Sequence, residues 1–194
     1  MKKLLSLILC GTMVLSFASC GSSKSEETLN TTSGTTTTAS KSTEAVVTGE
    51  DFDPDFTFRT TDRLGNEWTE TAFAANKLTM INFWEPWCGP CVKEMPDLEL
   101  LYEAYKDKGF QIIGVYSETH MESEVAGILK NKNISYPILN YTDEFARFNT
   151  GYVPTTVFVD GNGHIIKMDD GTESIVGSNT YEGWETIISS ISDL

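Results

Sequence analysis

Lys77 to Trp84 is mostly apolar, and the cysteine motif lies just beyond it. So short an apolar run predicts a buried strand rather than a helix. Phe110 to Tyr116 is a second run of the same kind. From Pro90 to Lys106 the apolar and aromatic residues fall at Val92, Met95, Leu98, Leu101, Tyr102 and Tyr105. That spacing predicts a helix, kinked at Pro96 and stopped by Gly109. Upstream, Phe56-Thr57-Phe58-Arg59-Thr60 alternates, and Arg63-Leu64-Gly65-Asn66-Glu67 offers a turn before Trp68. This predicts an N-terminal β-hairpin. Downstream, the pattern predicts a helix over Ser123–Asn131, a short strand over Tyr136–Leu139, a helix over Asp143–Asn149 and a strand over Thr155–Val159. Asp160-Gly161-Asn162-Gly163 then turns the chain into a strand over His164–Met168. A helix over Thr180–Ile191 closes the chain, with Trp184, Ile187, Ile188 and Ile191 on its apolar side.

Strands that alternate with helices pair in parallel through crossovers, and the terminal hairpin adds an antiparallel edge. The expected fold is α/β: a mixed central β-sheet flanked by helices on both faces, with the N-terminal hairpin as an extension. The globular pattern begins near Asp51, so residues 51–194 form the expected domain.

The first fifty residues follow other rules. Lys2 and Lys3 precede an apolar stretch from Leu4 to Leu15, and small residues lead into Cys20. This pattern is a secretory signal, too short for a comfortable membrane span. Phe17-Ala18-Ser19-Cys20 resembles a bacterial lipoprotein lipobox, with Phe17 where that family usually has Leu. The resemblance implies a signal peptide over residues 1–19 and lipid on Cys20. A simple secretory signal, with Cys20 merely near the cut, is the alternative. Residues 20–50 are rich in Ser and Thr, with four consecutive threonines from Thr35 to Thr38. They contain too few apolar residues to build a core. A flexible tether of this length has an r.m.s. span on the order of 30 Å.

Of the 194 residues, 40% are hydrophobic, enough for an ordinary core, and the formal net charge is −14. That charge argues against nucleic acid, whose phosphates reward Lys and Arg. It also argues against direct docking onto an anionic membrane surface. The alternating acids Asp51, Asp53 and Asp55 begin like a calcium loop. Phe56 stands where the sixth position needs Gly, and Asp62 where the twelfth needs Glu.

Four cysteines are present. Cys10 lies in the expected signal, and Cys20 would carry lipid. Cys88 and Cys91 remain, and a pair so close in sequence closes too small a loop to add much stability. The pair reads as a site for chemistry. Zinc would need further ligands, and the two histidines, His120 and His164, are isolated. No metal and no separate cofactor are expected. Thiol–disulfide exchange needs one attacking thiolate and a second thiol to resolve the mixed disulfide. Cys88 follows the strand and Pro90 can start a helix, so Cys88 sits at the helix N-terminus, where the dipole favours a thiolate. Cys88 is the predicted nucleophile and Cys91, one turn further in, the resolving thiol. Gly89 permits the turn and Pro90 fixes the geometry of the pair.

Asn82-Phe83-Trp84-Glu85-Pro86-Trp87-Cys88-Gly89-Pro90-Cys91 resembles the thioredoxin signature. Val92-Lys93-Glu94-Met95-Pro96 resembles the TlpA/ResA-type branch, as does Tyr152-Val153-Pro154-Thr155-Thr156-Val157-Phe158-Val159-Asp160. The likeness covers about residues 52–194. It implies a thioredoxin-like fold and a thiol–disulfide oxidoreductase, anchored by lipid on the outer side of the bacterial cell membrane. It implies that Pro154 is cis, facing the cysteines, and that Val153 and Pro154 bind an extended substrate segment. Trp87 becomes a surface aromatic beside the nucleophile, although composition alone allows a buried Trp. Glu94 becomes the acid near the dithiol, able to raise thiol pKa values and carry a proton. Glu85 is nearer in sequence, and its side-chain direction is open. Asn82 stands where cytoplasmic thioredoxin has a titrating Asp. Partners implied are exported proteins with disulfides and a membrane thiol-electron transporter, the chain itself acting as a monomer. A disulfide-forming oxidase, a non-catalytic binding lipoprotein and a peroxidase are the competing functions.

Overall fold

The computed structural model describes residues 52–194. The expected signal peptide, Cys20 and the tether lie outside the described residues. Among the described residues seven strands form two sheets: β1 Arg59–Thr61, β2 Glu67–Thr69, β3 Leu78–Phe83, β4 Phe110–Tyr116, β5 Ile138–Asn140, β6 Thr155–Asp160 and β7 Ile175–Val176. Strands β1 and β2 make the N-terminal hairpin, and the other five make a sheet of order β5-β4-β3-β6-β7. Strand β3 is parallel to β4 and antiparallel to β6, and β5 is parallel to β4, so the sheet is mixed.

Three α-helices follow: α1 Gly89–Tyr105, α2 Glu122–Lys132 and α3 Tyr181–Ile191. Helix α1 runs as one element through Pro96. The crossovers β3-α1-β4 and β4-α2-β5 step the same way across the sheet. The right-handed rule therefore places α1 and α2 on one face. Leu98 of α1, Val125 and Leu129 of α2 and Trp184 and Ile188 of α3 indeed share one core with Leu78, Met80, Ile112 and Phe158 of the sheet. Alternate residues of the same strands, Ile81, Phe83, Ile113, Val115, Val157 and Val159, face a second core.

The second face is closed by 3-10 helices at Glu70–Ala75 and Asp143–Phe148, and by the segment before β1. The sequence pattern predicted an α-helix over Asp143–Asn149. Only six residues coil here, and in a three-residue turn side chains at i and i+3 align. Phe145 and Phe148 have that spacing, and both are buried against Phe83. Phe56 and Phe58, expected within a strand, lie just ahead of β1. Their alternation survives: both are buried while Thr57 and Arg59 are exposed.

The strand expected over His164–Met168 forms only in part. Ile165 bridges Val159, and Ile166 N–H donates to the Phe158 carbonyl at 2.9 Å. The Ile165 N–H, turned outward, donates to Asp55 Oδ2 at 2.7 Å. A tight turn then closes with Met168 N–H to the Thr172 carbonyl, Gly171 having φ +82°, and lifts the chain off the sheet. Pairing with β6 resumes at β7. Gly161 stands where the hairpin passes the end of the first 3-10 helix: a Cβ there would lie 2.6 Å from the Asn76 carbonyl oxygen.

Phe73 is fully buried, with its ring 5.6 Å from Phe56 and 5.7 Å from Phe58. Phe73→Ala should cost about 3–5 kcal/mol. Urea unfolding should show a lower midpoint at an unchanged slope. A midpoint equal to wild type would mean that this aromatic cluster does not hold the second face.

Candidate active site

Strand β3 delivers the chain to the site. Beyond Phe83, Trp84 N–H still donates to the Val115 carbonyl at 3.0 Å, and Trp84 is buried. A turn over Glu85-Pro86-Trp87 closes with Cys88 N–H to the Glu85 carbonyl at 3.0 Å. Cys88 is then the N-cap of α1, and its Sγ accepts from the Cys91 N–H at 3.2 Å. Pro90 stands in the first turn, where its missing N–H leaves nothing unpaired. Gly89 has no positive φ, and a Cβ on it would meet nothing within 4 Å. The backbone therefore does not require glycine for the turn.

A disulfide joins Cys88 and Cys91. Cys88 is 5% exposed and Cys91 1%, so Cys88 is the sulfur nearer the surface. The unpaired N–H groups and dipole of a helix N-terminus stabilise negative charge on a sulfur at the cap. The Val153–Pro154 peptide is cis, and the Val153 carbonyl oxygen lies 3.6 Å from Cys88 Sγ. Two contacts fix this loop: Thr155 Oγ1 donates to the Tyr152 carbonyl at 2.7 Å, and Gly177 N–H donates to the Pro154 carbonyl at 2.9 Å. Trp87 is 60% exposed and Tyr152 72%, so two aromatics stand open at the site. Trp84 takes the buried position that composition alone allowed for Trp87.

Glu94 follows Cys91 by one turn on α1 and is 3% exposed. Its Oε1 accepts from Asn82 Nδ2 at 3.3 Å and its Oε2 from the Asn179 N–H at 3.0 Å. Asn82 Nδ2 also donates to Thr156 Oγ1 at 3.1 Å. A polar line thus crosses the sheet beneath α1, from β6 through β3 to the carboxyl. Burial pushes the Glu94 carboxyl up to about 7, against the pull of the Asn179 and Asn82 donors. Glu85 points elsewhere. Its carboxylate accepts from Ser117 N–H at 2.9 Å, Ser117 Oγ at 2.5 Å and Glu118 N–H at 3.2 Å, at the loop after β4. His120 pairs with Glu118 at 3.1 Å and His164 with Asp160 at 3.5 Å, both on the surface and apart from the cysteines. The sequence reading missed Asn179, which sits in no motif, and Tyr152, whose place beside Val153-Pro154 was the available signal.

Glu94 makes stability depend on pH. Its folded pKa lies above the unfolded value of 4.5, so the unfolded chain releases this proton first. Below about pH 4.5 the group costs nothing. Between about 4.5 and 7 stability falls as pH rises, by about 3 kcal/mol in all from this group. Glu94→Gln should flatten that slope, whatever it does to absolute stability. Urea unfolding of both proteins across pH 4–8 measures it, and parallel curves would contradict the assignment.

Comparison with known proteins places this geometry. The Redoxin family matches residues 48–182. The thiol-disulfide oxidoreductase ResA of Bacillus cereus is 32% identical over 117 residues, 59% of this chain and 64% of that protein. The chain thus spans just under two thirds of that relative's length. The thioredoxin-like protein YneN of Bacillus subtilis is 32% identical over 121 residues, covering 61% of this chain and 69% of that one. Among solved structures, a thioredoxin family thiol:disulfide interchange protein from Chlorobium tepidum matches 71% of this chain and 94% of its own at TM-score 0.59 and 23% identity. StoA from Bacillus subtilis matches 67% and 94% at TM-score 0.53 and 20% identity. These structures establish a thioredoxin-like fold, and the match over most of the described residues settles the family: the chain belongs to the Redoxin family.

Proposed function

We propose that this protein is a thiol–disulfide oxidoreductase that works outside the cytoplasm, held to the membrane by lipid on Cys20, and that it reduces disulfides in exported proteins. One observation carries the chemistry. Cys88 caps α1 and carries the more exposed of the two sulfurs, Cys91 lies one turn inward, and the Val153 carbonyl borders the outer sulfur. The named activity of the ResA relatives agrees with it.

In the reduced protein the Cys88 thiolate attacks one sulfur of the substrate disulfide and releases the other as a thiolate. A mixed disulfide now joins Cys88 to the substrate. Cys91 gives up its proton and attacks Cys88 Sγ. The second substrate thiol leaves, and two electrons have passed to the substrate. The Cys88–Cys91 disulfide is the oxidised end of the cycle. Glu94, with a pKa near neutrality and a place one turn from Cys91, is suited to take that proton. A membrane thiol-electron transporter would return the electrons. Val153 and Pro154 offer backbone to an extended substrate segment, while Trp87 and Tyr152 flank it. Gly89 and Pro90 form the surface between the two sulfurs.

Insulin reduction with dithiothreitol tests the chemistry. Cys88→Ser should abolish turnover, and activity surviving in it would remove the dithiol mechanism. A reduction potential near −270 mV supports the reductase, whereas one near −120 mV would make the protein an oxidase. Cys91→Ser should hold substrates on Cys88 as stable mixed disulfides that mass spectrometry can identify.

Glu94→Gln should lower the thiol pKa of Cys88 and slow turnover, since a buried negative group disfavours a thiolate beside it. Ultraviolet titration of the thiolate measures the shift. Identical titrations in wild type and variant would take Glu94 out of the proton path.

A further inference from the structure

A pocket of about 230 Å³ opens on the second face of the sheet, beside the dithiol. Two of its lining residues touch Cys88: the Val153 carbonyl lies 3.6 Å from Sγ, and the Glu85 carbonyl accepts the Cys88 N–H. Phe145, Phe148 and Tyr141 form aromatic walls. The volume falls below the roughly 300–1,000 Å³ of pockets that hold small-molecule ligands. It suits one side chain of a substrate whose backbone lies along Val153.

The chemistry of the lining selects that side chain. Glu85 is a buried carboxylate, and its three donors, Ser117 N–H, Ser117 Oγ and Glu118 N–H, carry no full charge. A carboxylate has about four acceptor sites, so one remains. Among the described residues no Lys, Arg or His pairs with Glu85. A buried charge without a cation is costly, and a cation brought to it is held strongly. Aromatic faces beside a carboxylate add attraction for a cation. The Phe148 ring already receives one, the Arg147 guanidinium, at 5.2 Å. The formal net charge of −14 draws a basic segment in the same direction.

We propose that this pocket takes a lysine or arginine side chain lying close to the disulfide of a protein substrate, with Glu85 as the residue that selects it. This rests on the reductase reading for its biological meaning, while the binding itself needs no redox step. The reaction is untouched by the pocket: Glu85 binds substrate, and the sulfurs exchange as above. What the pocket changes is which disulfides are presented to Cys88.

The test uses the full chain carrying Cys88→Ala and Cys91→Ala, so that binding is read without exchange. Labelled ten-residue peptides carry a central Ser in place of the substrate cysteine. At each of the two positions on either side, Lys, N-acetyl-lysine or Phe is placed in turn, and fluorescence anisotropy gives the affinities. At one position Lys should bind at least tenfold tighter than N-acetyl-lysine. Adding Glu85→Gln should reduce that ratio to below threefold. Equal affinities at every position, tightest binding by Phe, or a ratio unchanged in Glu85→Gln would each overturn the proposal. The comparison of Lys with N-acetyl-lysine changes only the peptide, so it stands even if the variant is unstable. Failure of insulin reduction in wild type would defeat the reductase reading and leave this measurement unaffected.

Discussion

Strand β3 is hydrogen-bonded along both edges and buried on both faces, and the site hangs from its end. Its six residues pair with β4 on one side and β6 on the other, in registers fixed at Leu78↔Phe110 and Leu78↔Asp160. A slip by one residue would turn Leu78 and Met80 into the wrong core and strand the polar Asn82 among aromatics. The strand therefore has one place to stop. That stop sets where α1 begins, and so which residue becomes the cap. The same pairing brings Thr156 opposite Asn82. The cis Val153–Pro154 peptide comes to Cys88 because it leads directly into β6.

The two cores divide the work. The core beneath α1 holds the polar line from Thr156 through Asn82 to Glu94, and burial there gives the carboxyl its raised pKa. The aromatic core on the other face sets the walls beside Glu85. Two acids near one dithiol thus meet different surroundings. Glu94 is held by few donors in an apolar setting, which favours its neutral form. Glu85 is held by three donors at the loop after β4.

Much of this was legible in the sequence, for identifiable reasons. Strand β4 falls where the apolar run predicts it, because a strand buried on both faces leaves an uninterrupted signature. The cap at Cys88 was legible because Pro90 marks a helix start. The hairpin was legible through Gly65, which takes the φ of +86° its turn requires. Other features depend on partners distant in sequence. The outward Ile165 N–H is taken by Asp55, 110 residues away, and the strand ends at the Met168–Thr172 turn, neither of which a local pattern records. The Asp143–Phe148 coil reads as a helix by composition, and its tighter winding follows from two phenylalanines meeting the same core. The direction of Glu85 was illegible because it is set by Ser117 and Glu118, just beyond the neighbouring strand β4 and more than thirty residues along the chain. For Glu94 the sequence supplied the place on the helix, while its partner Asn179 lies 85 residues along the chain.

The short outer strands have a consequence of their own. The five-stranded sheet ends in β5 with three residues and β7 with two, and Asp62 bridges across Leu139 on the β5 side. Long, flat outer strands are templates on which a second chain can continue a sheet. Here the long strands are all internal, and the turn at Met168–Thr172 interrupts the one run that could have made a long border. On the proposed function, the protein would meet unfolded, disulfide-bearing and aggregation-prone chains at every turnover. Its blunt borders give those chains no ladder to extend, so contact can remain brief and end in release.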